Sequence, residues 1–71
     1  MNYDKIIASK VRELRQKHNV DQKDLAEAIG ITRTALGNYE TGIRKFPIDL
    51  IPKIADYFGV TVDFLYGRSD K

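Results

Sequence analysis

The 71-residue chain contains no cysteine and only one histidine, His18. No disulfide can staple its core, and a lone imidazole without thiolates leaves no credible zinc set. A reducing compartment suits such a chain. It also lacks any apolar run near the ~18 residues that a membrane-spanning helix requires. Acidic and polar residues follow Met1 in place of a signal sequence, so the expected location is cytoplasmic. No segment repeats, and no strand-like alternation of useful length is present. Catalysis is poorly provided for as well. Ser9, His18 and the carboxylates fall on expected helices without a nucleophile elbow, metal spacing or phosphate loop, and so short a chain leaves little room for a pocket. We therefore expect no enzyme, no metal and no cofactor.

What is present is ordinary for a globular domain. Hydrophobic residues make up 42% and charged residues 31%, well away from disordered composition. A domain of this length buries only roughly 60% of the surface its unfolded chain exposes, so modest stability is expected. The net charge is +2 and the isoelectric point about 9.0. Bulk charge is thus a weak argument for a nucleic-acid partner, and the placement of the charges matters more.

The stretch from Gln22 to Glu40, QKDLAEAIGITRTALGNYE, organises the rest. Asp21 is a good N-cap, and Asp24 adds a carboxylate in the first turn, where the helix dipole favours it. Leu25, Ala26 and Ile29 form one apolar face of a helix of about two turns. Gly30 can adopt the left-handed conformation that ends it. Thr32 can cap a second helix, in which Ala35, Leu36 and Tyr39 face inward. Arg33, Thr34, Gly37 and Asn38 face outward, leaving a polar surface.

Ahead of this unit, Tyr3, Ile6, Ile7, Val11 and Leu14 recur at three- and four-residue steps and predict an amphipathic helix over residues 2–18. Asn2 can cap it, and Asn19 can end it in the left-handed conformation. Beyond Glu40, TGIRKFP reads as a loop in which Gly42 closes the preceding helix and Pro47 imposes an extended approach. Asp49 is expected to cap a fourth helix buried through Leu50, Ile51, Ile54, Ala55 and Phe58, with Pro52 tolerated in its first turn. Gly59 ends it. Thr61 then caps a short fifth helix, VDFLY, closed by Gly67.

Two short helices joined by a glycine turn resemble a helix-turn-helix. More specifically, LAEAIGITRTALGNYETG and the later IADYFGVTVDFLYG resemble the DNA-binding domain of phage repressor and Cro-like regulators, over about Lys10 to Gly67. The expected fold is all-α, a compact five-helix domain of the lambda-repressor kind occupying residues 1–67, with 68–71 as a polar tail or the start of a linker. The resemblance implies a sequence-specific transcriptional regulator, a repressor that reads operator half-sites in double-stranded DNA with the helix from Thr32 to Thr41. It would act in a bacterium or phage-infected host, at the nucleoid.

Arg33, Thr34 and Asn38 are the expected base readers. Arginine can pair with guanine O6 and N7, asparagine with adenine N6 and N7, and threonine can offer a hydroxyl or meet a thymine methyl. Gln22 matches the family glutamine that contacts a phosphate, and Lys23 and Thr32 are weaker phosphate candidates. Arg44 and Lys45 lie on a loop beside the recognition helix, where phosphates flank the groove. Asp21 stands where the family often has serine and adds a negative charge near the backbone. Gly37 admits two readings: a close approach of the helix backbone to DNA, or a glycine tolerated in a helix held by packing. Ala26 and Gly30 have structural roles, letting the helices approach and turn. The family also implies a partly buried bridge between Arg15 and Glu40.

Related repressors bind as homodimers on palindromic or pseudopalindromic operators, with a two-fold contact at the last helix and the loop before it. Val60, Val62, Phe64 and Tyr66 are the candidates here, although Phe64 and Leu65 could simply complete the core. Repressors of this type often continue into an oligomerisation or sensing domain, whereas Cro-like proteins and some antitoxins are this small when complete. An antitoxin or restriction-modification controller, with a regulatory protein partner, uses the same fold. A protein-interaction adaptor is the rival from another class, but it would carry apolar anchors on the outward face.

Overall fold

The computed structural model describes residues 3–68. Asn2, the expected cap of the first helix, and tail residues 69–71 lie outside the described residues. Five helices follow one another: α1 (Tyr3–Lys17), α2 (Gln22–Ile29), α3 (Arg33–Thr41), α4 (Leu50–Phe58) and α5 (Val62–Leu65). Their boundaries follow from cap chemistry. Asp21 and Thr32 have extended backbones, and their side chains accept the amide hydrogens of Asp24 at 2.9 Å and Ala35 at 3.0 Å. Each thereby satisfies a helix-end donor that has no intrahelical partner. Gly30, at φ 80°, takes the left-handed conformation that lets α3 fold back beside α2. Asn19 does the same after α1 at φ 56°.

One expected cap differs. Asp49 precedes α4 with helical backbone angles and makes no side-chain cap bond. The amides of Leu50 and Ile51 are instead satisfied by the carbonyls of Pro47 and Ile48, at 3.0 and 3.2 Å. A turn already wound before the helix starts leaves the aspartate with no donor to cap.

Each helix sends one residue to the centre of the core. Val11, Leu25, Leu36, Ile54 and Leu65 are all fully buried and come in order from α1 to α5. Around them pack Ile7, Ala8, Leu14, Ala26, Ile29, Leu50, Ile51, Ala55 and Phe58. Phe46 joins them from the loop between α3 and α4, its ring 5.3 Å from that of Tyr39. That segment is a loop by backbone but part of the core by burial. Helix α3 packs on both α2 and α1, while α5 bridges α1 and α4. At the start of α1, the Tyr3 ring meets Tyr66 edge-on at 5.6 Å, and Arg68 covers both. The Cα radius of gyration is 10.8 Å, close to the ~11 Å expected of a packed domain this long. Among the described residues, no helix is long and apolar enough to cross a membrane.

Candidate nucleic-acid interface

The placement of α3 is fixed at its far end. Glu40, in its last turn, is the one buried polar residue among those described, with 2% of its surface exposed. An isolated carboxylate so placed would be costly, and burial is tolerable only when its lone pairs are satisfied. Arg15 on α1 supplies two charge-assisted hydrogen bonds, Nε to Oε2 at 2.6 Å and Nη2 to Oε1 at 2.8 Å. Gln22, the first residue of α2, donates a third through Nε2 to Oε1 at 3.0 Å. Arg15 uses its remaining fork nitrogen, Nη1, on the Val20 carbonyl at 3.1 Å. Arg12, one turn earlier on α1, donates to the backbone carbonyl of Glu40. One residue of α3 is therefore held by side chains from both α1 and α2. Arg12 is not among the residues that the sequence singles out. Its signal was its place three residues before Arg15, on the same face of the helix.

With that end anchored, the other end presents side chains to solvent. Arg33 and Thr34 occupy the first turn of α3 and are exposed. Asn38 is half-buried, and its carbonyl accepts from the Arg44 amide at 3.1 Å, which ties the following loop to the helix. Gly37 does not share the open face with Arg33. It is half-buried, and a methyl group added there would meet the Gln22 amide at 3.9 Å, an ordinary contact. Gln22 thus stands between Gly37 and Glu40, with one amide hydrogen already engaged.

Lys23 and Arg33 line a shallow hollow with Arg15, Asp21 and Gln22, where the starts of α2 and α3 come together. Thr32 is exposed although its oxygen caps α3, so its hydroxyl hydrogen still faces outward chemistry. Arg44 and Lys45 are exposed on the loop at the opposite end of α3. Arg33 and Thr34 therefore lie at the other end of this short helix from the two loop cations, with Asn38 between them. Of the apolar candidates near the C-terminus, Val60, Phe64 and Tyr66 pack against the core, and Phe64 lies under the Lys10 ammonium at 4.9 Å. Val62 points outward, 36% exposed. Among the described residues, no three His, Asp or Glu side chains gather in an arrangement that could hold a metal ion.

A family model described as helix-turn-helix matches residues 11–65, most of this architecture. The chain belongs to the helix-turn-helix family. This helix-turn-helix domain, whose motif is α2, the Gly30 turn and α3, is similar to that of transcriptional regulators. It is 36% identical over 61 residues to the uncharacterized HTH-type transcriptional regulator YobD of Bacillus subtilis (strain 168), covering 86% of this chain and 54% of that protein. It is 28% identical over 65 residues to the cryptic phage CTXphi transcriptional repressor RstR of Vibrio cholerae, covering 92% and 59%. It is 33% identical over 62 residues to the uncharacterized HTH-type transcriptional regulator MJ0272 of Methanocaldococcus jannaschii, covering 87% and 94%. The domain spans a little over half the length of YobD and RstR.

Proposed function

We propose that this helix-turn-helix domain regulates transcription by laying α3 in the major groove of operator DNA, and that it represses by occupying promoter sites. One observation carries the reading: Arg33 and Thr34 stand exposed on the first turn of a helix whose other end is pinned through Glu40. Direct readout needs hydrogen-bonding side chains on a helix that does not shift, because each bidentate pair discriminates by only about 1–3 kcal/mol. In this reading Arg33 addresses guanine, Asn38 adenine, and Thr34 a hydrogen-bonding edge or a thymine methyl. Lys23, Thr32, Arg44 and Lys45 contact phosphates, which set register without reading sequence. Gln22 adds a phosphate contact through its second amide hydrogen while the first stays on Glu40.

A single α3 reads few base pairs. A homodimer on a pseudopalindromic operator, with half-sites about 34 Å apart, supplies the remaining affinity. Val62 is the apolar candidate left outward for its two-fold contact, since Val60, Phe64 and Tyr66 are engaged with the core. The name of RstR supports repression.

Selection of bound duplexes from a randomised pool at near-physiological salt tests the proposal. The expected product is an inverted repeat with half-site centres one helical turn apart. Recovery of no preferred sequence, with weak and steeply salt-dependent binding, would count against base reading.

A further inference from the structure

Lys5 and Arg12 lie seven residues apart, two turns of α1, and so project from the same side of that helix. The loop after α3 carries a second basic pair, Arg44 and Lys45, preceded by Ile43. The fold brings the two segments face to face, because α1 packs on α3 and Arg12 donates to the Glu40 carbonyl. Between them lies an open cleft of about 580 Å³, lined by all four cations together with Asp4 and Ile43. Glu40 also borders it, but its carboxylate is taken by Arg15 and Gln22. Asp4 is the other carboxylate among the described residues that line the cleft. Ile43 is 73% exposed at the rim.

Resting on the DNA-binding reading above, we propose that this cleft seats the sugar–phosphate backbone along the far edge of the major groove, with α1 and the loop as its two walls. Helix α3 has nine residues, which at about 1.5 Å per residue nearly match the ~12 Å width of that groove. A helix of that length lying across the groove meets a phosphate ridge beyond each end. Lys23 stands near its N-terminal end, and the cleft opens at its C-terminal end. Long cationic side chains around a polyanion suit phosphate oxygens, while Ile43 offers an apolar surface to a sugar. Of the four cations of this cleft, the sequence assigns phosphate contact only to Arg44 and Lys45. Lys5 and Arg12 extend it to α1.

The test measures the salt dependence of binding by the 71-residue chain to a labelled duplex of about 30 base pairs, long enough for two half-sites one turn apart. Lys5→Gln and Arg12→Gln are compared with Lys17→Gln, which removes an exposed cation of α1 away from the cleft. Each phosphate contact contributes about 0.9 to the slope of log affinity against log salt. Lys5→Gln and Arg12→Gln should each flatten the slope by about that amount, so that about threefold less affinity is lost between about 50 and 200 mM salt. Lys17→Gln should leave it unchanged. Arg12→Gln also removes a bond to Glu40, so melting curves accompany each variant, and Lys5→Gln carries the decision if Arg12→Gln unfolds. Unaltered slopes in a chain that still binds DNA would overturn the cleft assignment alone. Unaltered slopes together with binding of poly-glutamate lost in Lys5→Gln would reassign the cleft to an acidic protein segment. Failure of the unsubstituted chain to bind any duplex would overturn this proposal and the DNA-binding reading together.

Discussion

The Arg15 guanidinium meets the Glu40 carboxylate as a two-toothed pair, Nε and Nη2 each donating to a different oxygen. The residues are 25 positions apart and join α1 to α3 with only 15% and 2% of their side-chain surfaces exposed. Removing one partner of such a pair strands the other charge in a poorly solvated site, at a cost of about 3–5 kcal/mol. Arg15→Ala should therefore lower the melting temperature by more than about 10 °C, given roughly 4–8 °C per kcal/mol in a domain of this size. Arg15→Lys should recover only part of the loss, because a point charge cannot reproduce the fork. Thermal melts followed by circular dichroism measure both. A melting temperature unchanged in Arg15→Ala would remove the pair from any account of how α3 is held.

The caps give a paired contrast. Thr32 accepts the Ala35 amide, whereas Asp49 makes no side-chain cap bond. Thr32→Ala should destabilise by about 1 kcal/mol. Asp49→Ala should change stability by no more than the few tenths that a charge near a helix start contributes. Urea denaturation of the two variants should therefore separate them, and equal losses would mean that the turn before α4 does not replace the cap.

Much of this architecture was legible because its signals are local. Asp21, Gly30 and Thr32 sit within a few residues of the helix ends they set, so cap chemistry and periodicity find α2 and α3 together. Asp49 misled because a cap-forming residue type says nothing about backbone already wound into a turn. The Arg15–Glu40 pair was reachable only through family resemblance, since no local rule links residues 25 apart. Gln22 was read as facing a phosphate, and nothing in its neighbours announces that its amide donates to Glu40 or flanks Gly37. These contacts arise from the packing of three helices, which one-dimensional spacing does not encode.

Phe46 tests where the core ends. It lies in a loop but is 5% exposed, with its ring against Tyr39. Phe46→Ala should cost about 3–5 kcal/mol through lost burial and the cavity left behind. Lys45→Ala next to it is exposed and should stay within about 0.5 kcal/mol of the parent. Chemical denaturation of both variants measures the difference. A small effect at Phe46 would mean that the loop collapses to fill the space.

Gly37→Ala separates stability from function. A methyl there finds the Gln22 amide at contact distance and meets no clash, so the free domain should gain about 1 kcal/mol from helix propensity. If the α3 backbone comes close to DNA at this position, the same substitution weakens operator binding while raising the melting temperature. Affinity unchanged in the stabilised variant would eliminate close approach and leave the glycine as a tolerated helix residue.

Arg33 and Lys45 stand at opposite ends of α3, and their proposed roles predict different kinds of loss. Arg33→Ala should relax preference at one or two base-pair positions, with about 1–3 kcal/mol of discrimination lost there and other positions unaffected. Lys45→Ala should weaken binding to all sequences alike and reduce the salt slope by about one, the contribution of a single phosphate contact. Affinities for a panel of single-base operator variants, each measured at two salt concentrations, distinguish the outcomes. Arg33 is exposed on the first turn of α3 and Lys45 is exposed on the loop after it, so neither substitution should disturb folding. A uniform loss in Arg33→Ala would make it a phosphate contact, shifting base reading to Thr34 and Asn38. A position-specific loss in Lys45→Ala would mean that the loop enters the groove, and the orientation of α3 on DNA would have to be reversed end to end.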